Sequence, residues 1–429
     1  MANDIEKLVY QLVFDKSEKA EKEIRKRARV QGIKLGSSQR LYEARVRNEW
    51  SGFTVPAINI RTLTFDTARA VFRQVIKKRI GAFIFELARS EIDYTNQPMS
   101  EYVPVVIAAG IKEGFKGYLF FQGDHFQAKA EKFFEDQKKD YNPPLAGSLT
   151  KVGESQEVEA LKKLIKDSIK AGVYNIDIDS STLVRLEEKD LESQQKYNCQ
   201  LTAELTSYIR KLEPEGITIS VGGEVGEIGG RNSTSEDIQV FMEGYNRKLS
   251  KFGVRPGLIK IAVQTGATHG GIVGPGGEII KADIDFEALK NLSSEARKYG
   301  MAGAVQHGAS TLPEEYFDRF PETGAVEIHL ATAFQNIVLD SSYFPEDLKK
   351  KIINFLNREL IFEKKPEQTE EQFIYKTRKK ALGPFKKEIF SIPQKNKDKI
   401  SEELEEKFSL LFQRLGVSNT SGLIEKLYQ

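Results

Sequence analysis

Cysteine is almost absent from this chain. Cys199 is the only one in 429 residues, so no intrachain disulfide can form and a cysteine-built zinc finger is excluded. Histidine is nearly as scarce, with four in all. Long apolar runs are missing too. The longest, "VPVVIAAGI" (103–111), is far shorter than the ~20 residues a membrane helix needs. The opening "MANDIEKLVY" has no apolar segment of the kind a secretory leader uses. Neither sign of charge dominates: 64 Lys and Arg against 62 Asp and Glu leave a net +2, which by itself neither favours nor excludes nucleic acid. The basic run 16–34 alternates with glutamates and reads as a solvated helix face, not a nucleic-acid arm. These absences point to a cytoplasmic, reducing compartment, with no membrane and no nucleic acid as partner.

What the chain does have is a repeat. Residues 1–48 read as a charged, helical N-terminal segment. Then eight short, β-branched apolar runs recur: 53–60, 81–88, 117–123, 173–179, 216–222, 257–265, 301–308 and 324–330. Helical stretches separate most of them, such as "DTARAVFRQVIKKRI" (66–80) and "DFEALKNLSSEARKYG" (285–300), the latter with an aspartate positioned as its cap. Strands alternating with helices imply parallel pairing. Eight such repeats over residues 49–340 predict an α/β fold of the (β/α)8 TIM-barrel type. The rival is a doubly wound open sheet, which usually carries a glycine fingerprint after its first strand. "PAINIRT" (56–62) is not one. An insertion at 126–155, broken by "NPPLAG", is expected to be a lid or an interface. Residues 341–429 read as a C-terminal helical extension that packs on the barrel or on another subunit.

The scarce histidines are not scattered. His125, His269, His307 and His329 follow or end the third, sixth, seventh and eighth runs. Carboxylates share these positions: Asp124 after the third run, Asp177 and Asp179 at the fourth, Glu224 after the fifth. In a barrel of this kind the strand C-termini carry the chemistry. Three histidines and a carboxylate suit a divalent transition metal, zinc first. "GGEVGEIGG" (222–230) and "THGGIVGPGG" (268–277) suit mobile loops whose backbone approaches an anion, or simply tight turns.

In this arrangement the chain resembles the class II, metal-dependent fructose-bisphosphate and tagatose-bisphosphate aldolases over about residues 53–335. The matches are "VPAINI" with Asn59, the pair Asp124-His125, "DIDSS" with Asp179, "EVGEIGG" from Glu224, Thr268-His269-Gly270, and "HGAST" from His307. The resemblance implies His125, His269 and His307 as zinc ligands, Glu224 as a further ligand and Asp124 as catalytic acid/base. It implies a lyase that cleaves a ketose or ketose (bis)phosphate reversibly through a zinc-stabilised enediolate. Another divalent metal is the alternative, and a monovalent cation can accompany it. Asn59, Asp179, Gly270, Gly308, Ser310, His329 and Thr332 would contact a sugar or sugar-phosphate substrate, with His329 counted among the catalytic residues too. Family habit implies a homodimer or homotetramer.

The departures lie in the other half of the site. Arg231 and Asn232 stand where the family's second acid is expected, which leaves Glu236 as a substitute acid and Arg231 as a substrate contact. Val273 replaces a phosphate-binding lysine, His329 an asparagine, and Ala331 an aspartate. A changed substrate is the first expectation. A non-catalytic aldolase-like subunit and an epimerase using the same metal–enediolate chemistry are the alternatives.

Overall fold

The computed structural model of the protein describes residues 2–139, 155–226, 231–266, 272–276, 279–280 and 284–429. Its strands are β1 (Ile33–Gly36), β2 (Val55–Asn59), β3 (Ile84–Ala88), β4 (Gly117–Gln127), β5 (Asn175–Asp179), β6 (Ser220–Glu224), β7 (Lys260–Val263), β8 (Ile272–Val273), β9 (Ile279–Ile280), β10 (Ala304–Gln306) and β11 (Glu327–Leu330). Eight of them pair in parallel in the order β2-β3-β4-β5-β6-β7-β10-β11. Pairing of β11 with β2 closes the ring, so the sheet is a (β/α)8 barrel and not an open one. Each of the eight apolar runs supplies one barrel strand. β2, β3 and β5 are buried at every residue, as strands covered by helices outside the barrel and by packed side chains inside it must be.

The crossover helices start and stop where the sequence provides caps. Ser155, Asp190, Thr234 and Asp285 each accept a backbone N–H in the first turn of the helix that follows. Helix 156–171 ends at Gly172, whose φ of 102° is left-handed and returns the chain to β5. Helix Thr64–Lys77 begins at Thr64 itself and has no side-chain cap.

The N-terminal segment is mainly helical, as expected for residues 1–48, and adds one short strand. β1 lies parallel to the start of β4, pairing Ile33 with Gly117 through Gly36 with Phe120. Its continuation closes the bottom of the barrel. Ser38 donates to the Asn175 side chain at 2.7 Å, and the backbone N–H of Ser220 donates to Ser37 at 2.9 Å. The helix Gln39–Val46 then sends Tyr42, fully buried, up into the barrel to the Glu327 carboxylate. Tertiary contact decided this, because a four-residue strand carries almost no periodicity of its own.

The C-terminal extension packs on the same barrel. Helix Gln394–Arg414 lies along helix 64–77, with Arg73 and Gln74 bound to Glu405 at 2.6 and 3.0 Å. The last residues reach the barrel floor, where Tyr118 donates to the Tyr428 carbonyl at 2.8 Å. Of the insertion, helix Ala130–Lys139 is described. Residues 140–154, where the lid or interface was expected, lie outside the described residues.

Candidate active site

Asp124 and His125 are adjacent on one strand, yet both line the same cavity at the C-terminal mouth of the barrel. Neighbours in a regular strand point to opposite faces. A register shift against β5 between Gly123 and Phe126 breaks that rule, with His125 in the left-handed region at φ 40°. Gly123 is what allows it: a Cβ there would sit 2.3 Å from the Phe126 ring. The bulge re-aims both polar side chains upward while Phe126 stays fully buried.

The histidines converge as a stack. His307 lies 4.2 Å, ring centre to ring centre, from both His125 and His329. Asp124 Oδ1 is the hub, 2.7 Å from His125 Nδ1, 3.1 Å from His329 Nδ1 and 3.9 Å from His307 Nδ1. Burial would push the Asp124 carboxyl up, but His125 and His329 outweigh it and hold it well below the ordinary range. His125 Nε2 faces Glu224 at 3.5 Å. Burial first, and Asp179 second, push the Glu224 carboxyl up to about 8.

Beneath this lies a buried polar network. Lys260 Nζ, fully enclosed, donates to Gln122 at 2.7 Å, Asp177 at 2.9 Å and Glu327 at 2.5 Å. Glu327 also meets His329 Nε2 at 2.7 Å. Gly222 is required beside it, because a Cβ there would lie 2.3 Å from Asp177 Oδ1. Glu86 Oε2 lies 3.1 Å from both His329 Nδ1 and Gln122 Nε2. Its other oxygen has no hydrogen-bond partner among the described residues. Burial, with Asp124 and Glu327 nearby, pushes the Glu86 carboxyl well above the ordinary range. Sequence reasoning passed over Glu86 and Lys260, although each is a charge inside an apolar run, and a buried charge needs a partner.

The cavity holds about 500 Å³ and is also lined by Gly308, Ser310 and Thr332. Ser310 accepts from the backbone of Ala333 at 3.3 Å, and Thr332 from Arg61 at 3.3 Å. Asn59 and Asp179, expected as substrate contacts, do not line the cavity and instead bond to residues that do. Asn59 donates to Glu91 at 2.5 Å. Asp179 accepts from Gln127 at 2.5 Å and from the Ser181 hydroxyl at 2.6 Å. Arg231 and Glu236, expected as a substrate contact and a substitute acid, are not brought in either. Arg231 is committed to Asp237, at 2.7 and 2.8 Å, and Asp237 completes the capping box of helix Ser235–Leu249. Glu236 is exposed in the first turn of that helix and does not line the cavity. His269 and Gly270 lie outside the described residues.

The donor set suits a divalent ion. One donor atom from each of His125, Glu224 and His307 falls within a 4.8 Å span. Two imidazoles and a carboxylate are ligands that zinc and its neighbours accept. The Asp124 contact to His125 Nδ1 fixes that ring with Nε2 toward Glu224, the outer-sphere arrangement a ligating histidine uses. A cation would also offset the unfavourable burial of Glu224.

Solved structures of similar fold include the fructuronate-tagaturonate epimerase UxaE from Cohnella laeviribosi in complex with glycerol. It is 12% identical, with 85% of this chain and 82% of that one covered and a TM-score of 0.57. A probable tagatose 6 phosphate kinase from Sinorhizobium meliloti 1021 is 12% identical, covering 87% and 93%, with a TM-score of 0.53. Fructose-bisphosphate aldolase from Campylobacter jejuni is 14% identical, covering 90% and 96%, with a TM-score of 0.50. At these identities the likeness is one of fold. No curated protein matches the chain in sequence. The family profile "Fructose-bisphosphate aldolase class-II", however, matches residues 45–411, which takes in the whole barrel, its clustered histidines and most of the extension. The protein therefore belongs to the class-II fructose-bisphosphate aldolase family.

Proposed function

We propose that the protein is a metal-dependent aldolase that cleaves and re-forms a carbon–carbon bond in a small ketose or ketose phosphate. The observation that carries this is the placement of Asp124 against the donor cluster His125, Glu224 and His307, at a cavity of about 500 Å³. That volume suits a small ligand. A divalent ion held by these residues, zinc first, would polarise a substrate carbonyl as a Lewis acid.

The chain's own residues handle the protons. Asp124, held ionised, accepts the proton of the substrate hydroxyl next to the breaking bond. That hydroxyl carbon leaves as an aldehyde, and the bonding electrons stay with the ketone fragment as an enediolate. The carbanionic carbon then needs a proton. Glu86 is placed to supply it, since it lines the cavity and has one carboxyl oxygen without a partner among the described residues. It takes the role that Arg231 and Glu236, turned away from the cavity, do not fill. His329 lies 3.1 Å from Asp124 and 3.1 Å from Glu86, which keeps the two carboxyls in one connected set.

One observation favours a second reading. Two carboxyls, one shifted up and one down, that share one histidine are also an arrangement for removing and returning a proton, as an epimerase does.

The test is a panel of ketose phosphates and free ketoses with the zinc-loaded chain, coupled to detection of dihydroxyacetone phosphate or dihydroxyacetone. Wild-type protein should release a triose. Asp124→Ala should abolish release when assayed at saturating zinc, and His307→Ala should lose bound zinc. Folded, metal-free protein from a zinc-replete preparation, or unchanged turnover in Asp124→Ala, would overturn the proposal. An isomerised ketose without triose would select the second reading.

A further inference from the structure

The cavity is lined by two different parts of the chain. Most of its wall is barrel, but Tyr375, Lys376 and Lys379 come from the C-terminal extension. Helix Glu370–Thr377 and the turn after it are pinned over the barrel mouth. Arg378 binds Asp340 at 2.5 and 2.9 Å and Asn336 at 2.7 Å. Asn336 in turn donates to the Tyr375 hydroxyl at 3.0 Å. The Gly383 N–H donates to the Tyr94 carbonyl at 3.0 Å, and Thr369 to the Pro275 carbonyl at 2.8 Å. Phe373, Thr377 and Leu382 are buried beneath it. The segment is thus held to the barrel at several points.

The cations lining the cavity are not equivalent. Arg61 is paired with Glu91 at 2.7 Å, Arg89 with Glu157, and Lys129 faces Asp93 at 3.9 Å. Lys376 and Lys379 have no ion pair among the described residues. Both ammonium side chains are exposed at the cavity mouth, where an incoming anion can reach them.

We infer that Lys376 and Lys379 form an anion subsite, supplied by the extension, which binds the phosphate or carboxylate end of the substrate. The subsite deepens the aldolase reading and rests on it for the identity of the cavity. Lysine ammonium groups bind either anion as point charges. The hydroxyls of Ser310 and Thr332 line the same cavity.

The test is calorimetric titration of the full-length, zinc-loaded chain with inorganic phosphate and, separately, with glycolate as the carboxylate probe. The variants are K376A/K379A, K376R/K379R, and Lys387→Ala, an exposed lysine of the extension that does not line the cavity. The double alanine variant should weaken one probe at least about tenfold. The double arginine variant should recover most of that affinity, and Lys387→Ala should match wild type. The probe that loses affinity identifies the group. Equal affinities in wild type and the double alanine variant would overturn the inference, as would wild type that binds neither anion. Zinc stoichiometry, measured on the same samples, reports on the metal cluster separately. Zinc-free protein whose anion affinity still depends on the two lysines would sink the metal reading and leave the subsite standing.

Discussion

Asp124 shows how one residue type acquires two jobs from its surroundings. It touches three imidazoles, so it both orients a proposed metal ligand and stays ionised in a buried place. Glu86 is also a carboxyl within reach of the same His329, yet it is pushed the opposite way, because its burial outweighs that one imidazole and Asp124 and Glu327 add to the push. Glu86→Gln preserves the shape and an amide donor but holds no transferable proton. Turnover of the best ketose substrate should fall about 10²–10⁴-fold, with zinc content unchanged. Steady-state kinetics beside metal analysis checks this, and full activity would remove Glu86 from the proton path. The sequence exposed Asp124 and His125 because they interrupt an apolar run at its end. Glu86 was just as legible as a charge within "GAFIFELA", but its role was not, since nothing local names the histidine it meets.

At the level of elements, β4 and the strands around Lys260 carry the site. β4 is regular up to Gly123 and bulged beyond it, so a single strand contributes Gln122 to the buried network and Asp124-His125 to the cavity. Lys260 on β7 joins β5 through Asp177 and β11 through Glu327. Replacing it with methionine keeps the volume but leaves two buried carboxyls without their cation. Lys260→Met should lower unfolding free energy by about 3–5 kcal/mol. Urea denaturation monitored by circular dichroism measures the loss. A midpoint equal to wild type would show that the carboxyls take up protons at no cost to the fold and do not need the lysine.

At the scale of the whole molecule, both chain ends close the barrel. β1 and Tyr42 seal the floor, and the final residues lock onto it from outside. Thr54 N–H donates to the Leu415 carbonyl at 3.0 Å, and Gly81 and Ala82 N–H groups donate to Thr420 at 3.0 and 3.1 Å. Leu415, Val417 and Ile424 are buried there. Deleting residues 415–429 should cost about 5 kcal/mol or more, from three apolar side chains at about 1.5–3 kcal/mol each together with the lost hydrogen bonds. The truncated chain should unfold at clearly lower urea or fail to stay in solution. An unchanged midpoint would mean that the terminal segment is ornamental to the fold.

The sequence by itself determined the eight-fold alternation and the clustering of histidines at strand ends. Both are properties of short windows, in which burial on two faces dictates composition and strand polarity places the polar residue. It also carried the family resemblance that the profile match bears out. Only the tertiary structure decided which polar residues meet. The bulge at Gly123, the commitment of Arg231 to Asp237 and the floor strand β1 all depend on contacts between segments far apart or on a local break in strand period. The arrival of Lys376 and Lys379 at the cavity is the extreme case. They lie some 250 residues beyond Asp124, in a segment whose sequence shows only an amphipathic helix, and the pairing that holds it over the barrel mouth cannot be read from either partner alone.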